Sequence, residues 1–153
     1  MCGIVGYIGT KNKATGFVLE GLQTLEYRGY DSAGVATITP AGPLVIKQTG
    51  QVEALKHTVQ TTLKKDTLAA IGHTRWATHG APTTNNAHPH SNTAGTIFVV
   101  HNGIIENYAP IKAELISKGY HFKRDTDTEV LVNCIEDVKR NNNGTHAEAR
   151  RSG

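Results

Sequence analysis

The chain has 153 residues, 38% of them hydrophobic and 19% charged, with a formal net charge of +3. A chain of this size buries about 68 to 70% of its unfolded surface, enough for one domain with a sizeable core. So small a charge leaves no electrostatic footprint for nucleic acid, no apolar run approaches the ~20 residues that cross a bilayer, and no basic leader precedes the first apolar run, so the expectation is a cytoplasmic protein with neither nucleic-acid nor membrane partners.

In chain order, Cys2-Gly3-Ile4-Val5-Gly6-Tyr7-Ile8-Gly9 predicts a buried strand, and Val18, Leu22 and Leu25 at i, i+4, i+7 mark one face of a helix. Residues 34–38 and 44–47 flank the turn signal Thr39-Pro40-Ala41-Gly42-Pro43, which predicts a hairpin. A second helix carries Val52, Leu55, Val59 and Leu63 on one face, and an apolar run from Leu68 leads through His73-Thr74-Arg75-Trp76, a strand ending at the arginine. Residues 77–95 are rich in Thr, Asn, His, Gly and Pro and read as a loop long enough to be functional. Ile97-Phe98-Val99-Val100 reads as a strand; Ile104, Tyr108, Ile111 and Leu115 continue at helical spacing with Pro110 in the first turn. Thr126-x-x-Glu129 predicts a capping box before a helix with Leu131, Cys134, Ile135 and Val138 on its face. Strands and helices in this mixed order predict an α+β fold. From Asn141 the chain is polar without an apolar face, so the organisation expected is one domain over 1–140 and an unstructured tail over 141–153.

Cys2 stands directly behind the initiator methionine. Removal of Met1 puts a thiol and a free α-amine on one carbon, a nucleophile carrying its own base; ordinary thiols titrate at about 8.5 and α-amines at about 7.7 to 8.0, so each can pass a proton to the other near neutrality. By itself a second-position cysteine reads equally as a small buryable residue, and with Cys134 as a pair of free thiols in a reducing compartment.

Further segments combine polar residues with glycine. Arg75 at a strand end offers a planar fork for a carboxylate, and Asp127 at a helix start can balance an ammonium, a pair suited to an amino acid; the alternatives are a surface arginine stacked on Trp76 and a first-turn acid favoured by the helix dipole. Asn102-Gly103 after a strand can converge an amide NH2 and a backbone N–H into an oxyanion hole, or form a hairpin turn. His73, His79, His88, His90 and His101 cluster within thirty residues, but without HExxH or CxxC spacing or a nearby acidic ligand they read as hydrogen-bonded or pocket-lining side chains, and no metal or cofactor is expected.

Six segments in order, Cys2-Gly3-Ile4-Val5-Gly6, Leu25 to Gly34 (LEYRGYDSAG), Gly72 to Gly80 (GHTRWATHG), Asn86-Ala87-His88-Pro89-His90, His101 to Asn107 (HNGIIEN) and Asp125 to Glu129 (DTDTE), resemble the successive motifs of class II glutamine amidotransferases. Within that family the YRGYDSAG and HTRWATHG wording is similar to the branch whose acceptor is fructose 6-phosphate. The resemblance implies an N-terminal-nucleophile hydrolase sandwich, two antiparallel sheets between helix layers, and a reaction in which Cys2 attacks the side-chain amide of glutamine through a glutamyl thioester, releasing glutamate and ammonia. It implies Asn102 and Gly103 as the oxyanion hole, Arg75 on the substrate carboxylate supported by Thr78 and His79, Asp127 on the α-ammonium, Trp76 closing the pocket, and Arg28 close to the nucleophile. The family's glutaminase domain continues beyond the length seen here and is followed by sugar-isomerase domains that take fructose 6-phosphate, so an incomplete sandwich is expected, with exposed strand edges that invite self-association. The alternatives are the glutaminase of another class II amidotransferase and an inactive fragment that only binds.

Overall fold

A computed structural model of the chain describes residues 2–76, 81–124 and 126–151, with side chains in the last helix as far as residue 142. Strands β1 (Gly3–Ile8), β2 (Ser32–Thr39), β3 (Gly42–Thr49) and β4 (Ala69–Arg75) form an antiparallel sheet in the order β1-β4-β2-β3, with helices α1 (Ala14–Leu25) and α2 (Val52–Thr62) between them in sequence. The predicted hairpin closes through Pro40-Ala41, with Thr39 opposite Gly42. Val18 and Leu22 of α1 and Val52, Leu55 and Val59 of α2 bury against Ala33, Val35 and Ala70 on one face of the sheet. Leu22 and Leu55, both fully buried, contribute about 1.5–3 kcal/mol each. Neither helix caps itself. The Asp66 carboxylate accepts the Thr15 and Gly16 N–H groups at 2.8 and 3.0 Å, and Glu26 accepts the Val52 N–H at 2.6 Å, so side chains from other segments satisfy the first-turn donors.

Alternation along the strands puts Ile4, Gly6, Gly34, Ala36, Ile71, His73 and Arg75 on the opposite face. Over its His73–Arg75 end lies the segment 86–90, and a Cβ on Gly34 would collide with the His88 carbonyl oxygen, so this close approach requires glycine. The segment runs into a two-stranded ribbon, β5 (His90–Ser91) with β6 (Phe98–Val99). Helix α4 (Thr128–Arg151) packs behind the ribbon, and α3 (Tyr108–Ser117) packs on α4 through a second core of Leu115, Tyr120 and Val130. The layers run helices, sheet, sheet, helices, with the second sheet only two strands wide. The rest of the sheet face, including Ile8, Ile38 and Ile71, borders an open apolar cavity of about 440 Å³ that Phe98 of β6 lines from the other side. Among the described residues no helix is long and apolar enough to cross a membrane.

Four local expectations change. Helix α3 starts at Tyr108, leaving Ile104 outside it and exposed. Helix α4 buries Glu129, Val130, Val132, Asn133 and Glu136, whereas Ile135 and Val138 face outward. Its orientation follows buried polar anchors: Glu129 accepts the Lys123 and Arg124 N–H groups, Asn133 accepts the Thr93 N–H, and Glu136 accepts from Asn92. The capping box does not form, because Thr126 bonds His90 and Glu129 reaches Lys123 and Arg124. Finally, α4 extends to Arg151, through the polar run from Asn141 where the sequence reading places no element.

Candidate active site

The site gathers at the end of β4, against the residue that precedes β1. Pairing of β1 with β4 sets Gly3 opposite Thr74, whose hydroxyl accepts the Gly3 N–H at 3.1 Å, and this brings Cys2 to the backbone of Trp76. The Trp76 N–H donates to Cys2 Sγ at 3.2 Å, and Sγ lies 3.7 Å from the Trp76 carbonyl oxygen. Arg75 is buried, its Nη1 donating to the Ala81 carbonyl at 3.2 Å. Burial pushes its pKa down, and the neighbouring Cys2 and Asp31 oppose this.

Asn102 approaches from the stretch after β6. Its Nδ2 donates to the Cys2 carbonyl at 3.0 Å and its Oδ1 lies 2.9 Å from His73 Nε2. Gly103 has φ +146, in the region that side chains rarely adopt, and a Cβ there would sit 3.0 Å from His101 Nε2. No strand follows before α3, so Asn102-Gly103 is not a hairpin turn. Asp127, directly before α4, accepts the Ile105 N–H on Oδ2 at 2.7 Å and has the Thr128 hydroxyl 3.4 Å from Oδ1. Cys2, Arg75, Trp76, Asn102, Gly103 and Asp127 line one cavity of about 60 Å³, completed by His88, His101, Thr126 and Thr128. The 440 Å³ apolar cavity is larger but is lined by no thiol, carboxylate, imidazole or guanidinium.

Three buried imidazoles adjoin the site: the His73 and His88 rings stack with centroids 4.2 Å apart, and the His90 ring is tilted by 60° to His88 at 4.3 Å. Burial pushes the His73 pKa down to about 4, against the opposing hydrogen bond of Asn102, and burial likewise lowers His88 and His90. The rings are therefore neutral at pH 7. His88 Nδ1 accepts the His101 N–H at 3.4 Å, and His90 Nε2 pairs with the Thr126 hydroxyl at 3.0 Å. No group of three or more His, Cys, Asp or Glu among the described residues is arranged to hold a metal ion.

Six of the residues singled out from sequence thus meet in one cavity; Thr78 and His79 lie outside the described residues. Arg28 sits in the single 3-10 turn Glu26–Arg28 and does not line the cavity. Arg75 is buried rather than a surface arginine on Trp76, whose ring meets the edge of Tyr30 at 5.6 Å. Sequence reasoning gave no individual role to His73, although standing two residues before Arg75 on a strand puts it on the same face; Thr126 carried only the expected cap, and Thr128 only its place in the DTDTE segment.

A layered two-sheet core whose first strand is led by a cysteine is the architecture of the N-terminal-nucleophile amidotransferases. The fold matches the allosteric regulatory enzyme of purine biosynthesis with a TM-score of 0.73 at 29% identity, over 87% of this chain and 29% of that one. It matches the glutamine phosphoribosylpyrophosphate amidotransferase of B. subtilis, complexed with ADP and GMP, with a TM-score of 0.70 at 28% identity over the same shares. More narrowly, the chain belongs to the glutamine amidotransferase domain family, whose model matches residues 52–147. It is 54% identical over 140 residues to a glutamine–fructose-6-phosphate aminotransferase (isomerizing) of Thermus thermophilus, 92% of this chain and 23% of that protein. Proteins of the same name from Pyrococcus horikoshii and Chlorobaculum tepidum are 50% and 47% identical over 92% and 97% of this chain. The chain spans about 23% of the length of these relatives.

Proposed function

We propose that the chain is the glutamine-hydrolysing part of an enzyme that moves the amide nitrogen of glutamine to fructose 6-phosphate. The observation that carries this reading is the meeting, in one cavity, of a thiol, an amide beside a glycine, a buried guanidinium and a carboxylate. Arg75 takes the α-carboxylate of glutamine as a bidentate pair, and Asp127, whose Oδ1 has only a long contact to the Thr128 hydroxyl, takes the α-ammonium. The side-chain amide then reaches Cys2. With Met1 removed, the thiol proton passes to the α-amine as Sγ bonds to the amide carbon; the Asn102 Nδ2–H and Gly103 N–H hold the oxyanion. The same amine returns the proton to the departing nitrogen, which leaves as ammonia, and water attacks the thioester to give glutamate and free the thiol. Trp76 closes the pocket around the substrate, and Thr78 and His79 are assigned to support Arg75 on the carboxylate.

On this reading residues 1–140 are glutaminase domain and 141–153 lie beyond it, the chain works in the cytoplasm, and fructose 6-phosphate is handled by domains outside this sequence. The test is glutamate release from glutamine by the purified chain, with Met1 removal checked by mass, beside Cys2→Ala. Release by the first and not the second supports the proposal. No release by either, with the thiol N-terminal, rejects glutaminase activity for this chain and leaves a binding fragment.

A further inference from the structure

We propose that His73 is a positioning residue that holds the Asn102 carboxamide with its NH2 towards Cys2 and the reacting carbonyl. The inference rests on the reading of Asn102 as an oxyanion donor. A carboxamide has two orientations related by a flip, and only one presents hydrogens to an oxyanion; the other presents a carbonyl oxygen and opposes the negative charge. Two contacts decide between them. The Cys2 carbonyl, an acceptor only, is 3.0 Å from Asn102 Nδ2, and His73 Nε2 is 2.9 Å from Asn102 Oδ1. The second contact is favourable only if Nε2 carries the proton.

That tautomer is favoured on its other side too. His73 Nδ1 is buried without a partner, and an orphaned N–H costs more than an orphaned acceptor, so the proton belongs on Nε2. The ring is held in plane by the His88 ring stacked at 4.2 Å, and it shares a strand with Arg75 two residues on. One buried side chain thereby couples the group proposed to bind the substrate carboxylate to the group proposed to bind the oxyanion. His73 touches no reacting atom; it acts through Asn102.

Two substitutions separate positioning from packing. His73→Phe keeps an aromatic ring against His88 and removes the donor; His73→Gln loses the ring and keeps an N–H at about the reach of Nε2. Because the Cys2 carbonyl still favours the productive amide orientation, the loss in His73→Phe is smaller than the ~10²–10³ of deleting an oxyanion donor. We expect a tenfold to hundredfold fall in kcat for glutamine hydrolysis with KM within about twofold, recovery in His73→Gln to within about threefold, and an unchanged rate of Cys2 alkylation by iodoacetamide in both. Nitrogen NMR of the unmodified chain reads the tautomer directly, and the Asn102 Nδ2 resonances shift in His73→Phe. A proton on Nδ1, or Phe behaving as wild type while Gln is crippled, overturns the proposal in favour of stacking. Wild-type chain that releases no glutamate rejects the glutaminase reading instead; the tautomer and the Asn102 shift then decide this inference alone, as the tautomer and His73→Gln do if His73→Phe fails to fold.

Discussion

Removing the Glu129 carboxylate tests whether a buried acid on α4 holds the approach to Asp127. Glu129 is 2% exposed. Its two oxygens accept the Lys123 N–H at 3.1 Å each and the Arg124 N–H at 2.8 Å, and Oε1 meets Arg124 Nη1 at 3.0 Å. Arg124 Nε is buried without a hydrogen-bond partner and Nη1 pairs with Glu129, so Glu129→Ala leaves two backbone donors and a largely buried guanidinium uncompensated. Breaking a buried pair from one side costs about 3–5 kcal/mol, a third or more of the stability of a typical domain. With a urea m-value of about 2 kcal/mol per M, the midpoint should fall by roughly 2 M. Glu129→Gln, which keeps one acceptor oxygen and the volume, should lose about half as much. The assay is urea unfolding followed by far-UV circular dichroism, with glutamine KM measured under conditions where both proteins remain folded. Because residues 123–126 lead straight into Asp127, KM should rise more than kcat falls. A midpoint shift below about 0.5 M at unchanged m would falsify the assignment of Glu129 as the anchor of this turn.

Three other perturbations follow from the same structure. Burial, with help from the positive Arg124, pushes Lys47 from 10.5 down to about 7, so between pH 7 and 10.5 the unfolded chain binds a proton that the folded chain does not. Stability therefore rises with pH across that window and bears the whole penalty below it; Lys47→Met should flatten the rise of the urea midpoint from pH 7 to 10 and raise the midpoint at pH 6, and an unaltered rise would assign it to another group. Gly34→Ala places a methyl against the His88 carbonyl and should destabilise by about 1–3 kcal/mol while depressing glutaminase activity, since segment 86–90 must lift from the sheet; full activity at wild-type stability would contradict the close contact. Arg75→Lys replaces a planar fork with a point charge, so KM for glutamine should increase tenfold or more with a smaller change in kcat, and equal losses in both would argue against carboxylate binding.

The four strands of the first sheet and their two covering helices were legible because their signals are local: apolar runs, a Pro-Gly turn at 39–43, and helical stripes Val18-Leu22-Leu25 and Val52-Leu55-Val59-Leu63, of which Leu63 falls just beyond α2. The face of α4 was not, since its buried side is set by Glu129, Asn133 and Glu136, residues whose burial makes sense only once the loop N–H groups and the Asn92 amide they accept are known. The ribbon strand β5 is two residues long inside a polar stretch and has no periodicity to detect. For the cavity, chemistry alone left Arg75, Asn102-Gly103 and Asp127 ambiguous, and the family resemblance supplied the grouping that the structure then displays. His73 escaped because a buried histidine and a loop histidine look alike in sequence; only its partner, 29 positions away, distinguishes them.

The sheet order places the second residue of the chain beside strand β4, and Asn102 bonds the Cys2 carbonyl across 100 positions. During synthesis, then, the first part of the site to leave the ribosome waits for neighbours that lie 74 and 100 positions further on. At ~5–20 residues per second, about 5 to 20 s separate the emergence of the thiol from that of the amide that flanks it, and the sheet can close only when β4 arrives to fill the slot between β1 and β2. Until β4 emerges the cysteine leads an unpaired strand, and the Asn102 amide reaches it only when about two-thirds of this sequence has been made. Non-local pairing of this kind slows folding, so the pocket around the thiol is completed late, by segments that follow it at a distance in the chain.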